Sequence, residues 1–419
     1  MTEQYHLLSE NNTSTVVSHY KREAEIPKDY QTEAELEDSF IAQLQRQGYE
    51  FLDIHTEQEL IDNLRRQIEL LNSYKFSDNE WKNFFATEIV GEKSDIIKKT
   101  YTIQKDCVKC LKQDNGQERN IMLLNKKDIH ANSTQVIHQY TEKHGNKQSR
   151  YDVSILVNGL PLVHVELKKR GVSIREAFNQ IDRYFNESFS EGCGLFEYVQ
   201  LFVISNGTLT KYYSNTTRKG HLENISRANK SDKKRSSHSF EFTSYWADAH
   251  NNILNDLVDF TATFFTRHTL LNVLLRFCVL TQQDTLLVMR PYQIAAAEAM
   301  LNKIEKSHNM HMQGTLDACG YVWHTTGSGK TLTSFKAAQL ATKYDFIDKV
   351  VFVVDRKDLD YQTMKEYDRF EKGAANGNTS TKILQHQLED YTGKTRILIT
   401  TIQKLSAFIK KNKEHNIYN

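Results

Sequence analysis

Asp152, Glu166 and Lys168 flank Asn158-Gly159, a dipeptide that favours a tight hairpin turn. An antiparallel hairpin with Val157 opposite Pro161 or Leu162 brings Asp152 opposite Glu166, within one residue. Glu166 and Lys168 are two apart, so they point to one face of their strand. Two carboxylates and an ammonium then converge. Such a set can hold one or two Mg²⁺ ions and set a water against a phosphodiester, with the lysine orienting that water or helping to deprotonate it. The spacing is loose, and a cross-strand charge pair on a solvated hairpin is the competing reading. Gln180 and Tyr184, four apart on the following helix, share a face. They could steady a DNA strand or the lysine, or simply pack. Glu37, on an earlier helix, could add a further carboxylate.

A second set runs His324-Thr325-Thr326-Gly327-Ser328-Gly329-Lys330-Thr331, between a short apolar run and a helical pattern. Gly327 and Gly329 let the backbone curl so that its N–H groups face a phosphate. The helix N-terminus adds a favourable dipole. Lys330 would reach the β- and γ-phosphates, and Thr331 would offer a hydroxyl to Mg²⁺. Thr326 and Ser328 complete the loop. The usual pattern opens with Gly where this chain has His324, and the alternative is a Gly-rich turn that binds nothing. Upstream, in Arg290-Pro291-Tyr292-Gln293, the Gln293 amide could pair with the N6/N7 edge of adenine and select ATP. Cys107 and Cys110 form a CxxC, half of a zinc site, without a second pair at zinc-finger spacing. Two ordinary thiols are the simpler reading.

These residues need positioning elements. Leu36, Phe40, Ile41 and Leu44 predict a helix stopped by Gly48, and Leu60, Leu64, Ile68 and Leu71 predict a second over 57–71. Residues 100–150 carry no clear period. Val153, Ile155 and Val157, then Leu162 to Leu167, predict two strands, followed by a helix from Ser173 to Phe185 and a strand from Val199 to Ile204. Residues 218–238 are basic and poor in apolar side chains: a solvated loop, or a DNA-backbone contact. Trp246 to Val279 reads as helical. Tyr321–Trp323, Val350–Val354 and Ile397–Thr400 predict short buried strands. They alternate with helices at 291–306, 330–343 and 359–370, which implies a parallel α/β sheet.

The bulk properties fit this division. At 419 residues, 39% hydrophobic and 26% charged, the chain has the composition of about two to four globular domains. A net charge of +1 leaves nucleic-acid contact to local patches. The polar N-terminus lacks a secretory h-region, and no apolar run approaches the roughly 18 residues of a membrane span. With five scattered cysteines, the chain argues against a disulfide framework and fits a reducing cytosol.

Taken together, the phrases YDVSILVNGLPLVHVELKKRG, REAFNQIDRY, LLVMRPYQIAA, GYVWHTTGSGKTLTSFKAA and VVFVVDRKDLDYQT resemble the R, or motor, subunit of type I restriction enzymes. The resemblance runs from YQTEAELE to the last residues. It implies an α/β fold with three parts: a RecB-like PD-(D/E)xK endonuclease domain over 1–250, a helical connector over 251–285, and an incomplete first RecA-like, superfamily 2 helicase P-loop domain over 286–419. It implies Asp152, Glu166 and Lys168 as nuclease residues, with Gln180 and Tyr184 as an associated QxxxY motif. Arg290 and Gln293 resemble the adenine-recognising motif. Asp355-Arg356 with Gln362, and Thr400-Thr401-Ile402-Gln403, resemble later motor motifs. The implied activity is Mg²⁺-dependent cleavage of double-stranded DNA at non-specific sites after ATP-driven translocation. The implied partners are DNA and the methyltransferase (M) and specificity (S) subunits.

The Asp-Glu-x-His box of that family, its second RecA-like domain and its C-terminal helical region are not in this sequence. Without the Walker-B acid, Mg²⁺ and the attacking water lose a partner. The expectation is a fragment or truncated product that binds nucleotide weakly and is inactive as a motor alone. Two rival readings are a helicase or remodeller whose N-terminal domain only binds DNA, and a folded non-enzymatic remnant.

Overall fold

The computed structural model describes residues 14–22, 31–91, 95–144, 147–187, 194–217, 242–355, 357–373, 376–377, 380–390 and 396–411. The basic stretch 218–238 lies outside them. The chain forms two compact units, Met1–Val279 with Thr285–Tyr292, and Leu280–Asp284 with Gln293–Asn419. Among the described residues, no helix is long and apolar enough to cross a membrane.

The first unit is built on a six-stranded mixed sheet in the order β1-β4-β5-β6-β7-β8. Its strands are β1 (Glu50–Phe51), β4 (Thr134–His144), β5 (Lys147–Val157), β6 (Leu160–Leu167), β7 (Leu201–Ser205) and β8 (Thr210–Ser214). A separate hairpin pairs β2 (Val108–Lys112) with β3 (Glu118–Met122). Much of the stretch with no readable period is therefore strand. The β5–β6 turn is the expected Asn-Gly hairpin: Asn158 and Gly159 have φ of +50° and +81°. Asn158 also locks the turn through its amide, donating to Leu123 O and Asn132 Oδ1. The register differs from the expected one. Val157 pairs with Leu160, and a bulge at Ile155/Leu156 restores Ile155 to Val163 and Val153 to Val165. Asp152 therefore still falls opposite Glu166.

Every residue of β6 is buried. That is the condition of a central strand covered on both faces, and it explains the near-continuous apolar run. His164 and Glu166 sit on one face among Val163, Val165 and Leu167 on the other. Helix α1 (Glu33–Arg46) starts at a capping box between Thr32 and Glu35, and α2 (Glu57–Asn72) at another between Thr56 and Glu59. Leu36, Phe40, Ile41 and Leu44 of α1 and Leu60, Leu64 and Ile68 of α2 are buried, as their spacing predicts. Helices α3 (Asp78–Phe84) and α4 (Ile96–Lys105) follow, and helix α5 (Ile174–Glu187) packs on β5, β6 and β7.

The helical expectation for 246–279 needs correcting. Residues up to Asp256 form irregular turns, with Trp246 and Leu254 buried. Helices run only over Leu257–Phe264, capped by Asp256, and Arg267–Leu275, capped by Thr266. An Asp248 side chain that hydrogen-bonds its own downstream backbone competes with helix here. Both helices fall within the first unit.

The second unit holds a parallel sheet, Val350–Val354 beside Ile397–Thr401 beside Asn376–Gly377. Helices cover Pro291–Asn309, Lys330–Ala341, Lys357–Phe370, Thr381–Leu388 and Ile402–Lys411. The parallel α/β reading holds for these strands. Tyr321–Trp323 does not form the expected buried strand: Tyr321 is 92% and Trp323 88% exposed. Three residues have too few backbone bonds to hold a strand unless a neighbour pairs with them. Val350–Val354 is also less buried than expected, alternating inward and outward at the edge of the described sheet.

Candidate active site and phosphate loop

Adjacent strands bring Asp152, Glu166 and Lys168 together as their spacing requires. Lys168 Nζ donates to Glu166 Oε1 at 3.3 Å and stands 3.9 Å from Asp152 Oδ2. It also donates to Glu33 Oε1 at 3.1 Å and to the Leu167 carbonyl at 2.9 Å. Asp152 Oδ2 accepts the Leu167 N–H at 2.9 Å, which fixes the carboxylate across the strand pair. These are not charges on a solvated hairpin, because Asp152 is 3% exposed and Glu166 fully buried.

Burial sets the electrostatics. It pushes Asp152 up to about 7, helped by the charge of Glu166, and it pushes Glu166 up to about 7 as well. Two carboxylates this close titrate as a pair. Burial works against the Lys168 ammonium, but Glu166, Asp152 and Glu33 outweigh it and hold the lysine above its ordinary range. Lys168 is therefore a charged donor. His164, with Nε2 3.3 Å from Glu166 Oε2 and Nδ1 3.3 Å from Ser154 Oγ, is pushed down to about 4 by burial and is neutral.

Helix α1 completes the cluster. Glu33 and Glu37 are four apart and share a face. Their carboxylate oxygens and one of Asp152 all lie within 4.8 Å of one another. Burial and the charge of Asp152 raise Glu37 above its ordinary range. Its Oε2 accepts from Gln139 Nε2 at 3.1 Å. Gln139 breaks from the β4–β5 ladder where it would face Asp152, and its φ is +48°. Glu37 was legible in the sequence, but Glu33 was not. Its signal was the i, i+4 partnership with Glu37 just inside a capping box. Gln139 left no sequence signal. Gln180 is half-buried on α5. Tyr184 lies on the same helix, and its side chain is outside the described residues.

Asp152, Glu166 and Glu33 face one ammonium, and Glu37 stands beside Asp152 and Glu33. Oxygen donors of this kind fit a hard divalent cation such as Mg²⁺. Cys107 and Cys110 are free thiols, and no group of three or more metal-ligating side chains among the described residues includes them. The zinc half-site reading thus gains no further ligands.

In the second unit, the loop ends where helix Lys330–Ala341 begins. Gly327 and Gly329 have φ of +79° and +81°, the left-handed backbone that motivated reading them as a phosphate cradle. Ser328 Oγ donates to Thr325 O at 2.8 Å and lies 2.9 Å from His324 Nδ1, so His324 braces the loop it opens. Lys330 Nζ reaches back to His324 O at 3.4 Å. Thr326 is exposed and Thr331 half-exposed. Gln293 Nε2 donates to Ser328 O at 2.9 Å, and a Cβ on Gly329 would collide with that amide. The structure thus brings Gln293 onto the loop backbone. Arg290 is exposed and falls in the first unit. Asp355 O accepts from Gln403 Nε2 at 3.0 Å, joining the ends of the two parallel strands Val350–Val354 and Ile397–Thr401. Arg356 and the Gln362 side chain are outside the described residues.

Known proteins resemble both units. A model of the type I restriction enzyme R protein N terminus matches residues 30–221, and one of the SWI2/SNF2 ATPase matches 292–419. The endonuclease subunit of the type I restriction enzyme EcoprrI from Escherichia coli is 46% identical over 301 residues, 72% of this chain and 91% of that protein. The chain belongs to the type I restriction enzyme endonuclease subunits. The SsaAORF53P subunit of Staphylococcus saprophyticus is 40% identical over 391 residues, and the SauCOLORF180P subunit of Staphylococcus aureus 39% over 389. The chain spans 38% of the length of each of these staphylococcal subunits. The family membership implies a nuclease, with an ATPase-like region following it.

Proposed function

We propose that Asp152, Glu166 and Lys168, with Glu33 and Glu37, form a PD-(D/E)xK site that hydrolyses phosphodiesters of double-stranded DNA with Mg²⁺. One observation carries this reading: the buried carboxylates of Asp152 and Glu166, with the partly exposed Glu33 of α1, converge on a single charged lysine, and Glu37 stands beside Asp152. When bound, Mg²⁺ would screen the scissile phosphate and lower the pKa of a water. Asp152, Glu166, Glu37 and Glu33 would hold the cation. Lys168, kept protonated by its acidic neighbours, would donate to a phosphate oxygen or orient the attacking water. Neutral His164 holds Glu166 without competing for the cation. Gln180 and Tyr184 on α5 would contact the DNA strand.

Residues 286–419 we read as the first RecA-like domain of a superfamily 2 motor. Gly327, Ser328, Gly329 and Lys330 would cradle the ATP phosphates, Thr331 would take Mg²⁺, and Arg290 with Gln293 would read the adenine. In the assembled enzyme, with M and S subunits, the motor would translocate DNA and the nuclease would cut it.

Two variants test the reading. Lys168→Ala should lower Mg²⁺-dependent DNA cleavage by about 10²-fold or more while ATP binding stays. Lys330→Ala should abolish binding of a fluorescent ATP analogue. Cleavage surviving in Lys168→Ala would sink the assignment of the nuclease to this site, whereas wild type that binds DNA and never cuts it would favour a motor whose N-terminal domain only binds DNA.

A further inference from the structure

His19, Asp248 and His250 converge in the first unit and share no residue with the carboxylate cluster. One donor atom of each lies within 4.8 Å of the others. Asp248 is the fixed point. Its side chain is fully buried, Oδ1 accepts the N–H groups of His250 and Asn252 at 2.9 Å, and Oδ2 accepts Asn252 Nδ2 at 2.9 Å and Tyr20 N at 3.4 Å. His250 Nδ1 lies 2.6 Å from the Ser18 carbonyl. A carbonyl only accepts, so that nitrogen carries the proton and Nε2 is left as the basic nitrogen. A backbone carbonyl on the far ring nitrogen is also how metal-bound histidines are commonly oriented.

His19 supplies the third donor. Its Nδ1 stands 3.6 Å from Asp248 Oδ2, too long for a hydrogen bond. Two ligands each about 2.1 Å from a tetrahedral ion stand roughly 3.4 Å apart, close to that separation. The His19 and His250 rings meet edge to face at 5.9 Å. The His19 side chain is 59% exposed, which gives an ion a way in. Elsewhere the same segment is fastened by Ala249 N to Val17 O and Thr269 Oγ1 to Thr15 O, both 2.9 Å, and by the ion pair of Arg22 with Asp259.

We propose that His19, Asp248 and His250 bind one zinc-class divalent cation, which clips the segment around residues 14–22 to the Asp248–Asn252 turn. Two imidazoles and one carboxylate suit Zn²⁺ or Co²⁺ and not Mg²⁺, and a solvent molecule would take the fourth position. The test uses the untagged, metal-stripped chain in excess Mg²⁺, titrated with Co²⁺. The expected result is one equivalent of four-coordinate Co²⁺ by its visible absorption, displaced by Zn²⁺, with Zn²⁺ raising Tm. His19→Ala, at an exposed position that the fold does not need, should weaken Co²⁺ binding by about tenfold or more. His250→Gln should do the same. Three results would overturn the site: no four-coordinate spectrum, a thiolate charge-transfer band placing the ion on Cys107 and Cys110, or undiminished binding in His19→Ala.

Discussion

Burial of Asp152 and Glu166 has a consequence for pH. Both are raised to about 7, against roughly 4 in an unfolded chain. Between those values the folded chain holds protons that the unfolded chain has released. The stability this contributes at low pH is lost as pH rises through 7. A cation that binds only the folded, ionised pair should reverse the loss. Without divalent ions, the Tm of the wild type should therefore fall relative to that of Asp152→Asn between about pH 5.5 and about pH 8. Mg²⁺ should raise the wild-type Tm more at the upper pH. Parallel profiles would mean the two carboxyls are not buried together. The sequence revealed Asp152, Glu166 and Lys168 because a period of two and an Asn-Gly turn suffice to pair them. It did not reveal that Lys168 also bonds Glu33, since that contact spans 135 residues and depends on where α1 docks.

The β5–β6 hairpin is the element that creates the site, and its turn is tightly held. A Cβ on Gly159 would lie 2.6 Å from Leu64 Cα on α2, and the residue's φ of +81° disfavours any other side chain. Gly159→Ala should cost roughly 2–3 kcal/mol, read as a lower midpoint in urea, and should weaken divalent-ion binding with it. An unchanged midpoint would show that α2 does not press on the turn. Elements with a strong period, such as α1, α2 and α5, were legible. Strand β4 was not, because residues 100–150 mix two hairpin strands, a helix and loops at short intervals. Residues 246–256 failed for the opposite reason: apolar content suggested a helix, but Asp248 and Asn251, with a φ of +64°, favour turns.

Across the whole molecule, the two halves of the sequence reading rest on different grounds. The nuclease half stands on converging side chains. The ATPase half stands on a loop backbone and a parallel sheet, while Tyr321–Trp323 remains outside that sheet. The order of nuclease-type and ATPase-type regions was legible from motifs alone, and the matches to residues 30–221 and 292–419 agree with it. The central claim is the metal-dependent nuclease site. The most direct measurement is anomalous scattering from crystals of the chain soaked in Mn²⁺ with a short DNA duplex. The account predicts a peak held by Asp152 and Glu166, with Glu37 or Glu33 beside it and Lys168 within hydrogen-bond reach of the phosphate or of a water on the ion. An empty cluster with DNA bound elsewhere would contradict it.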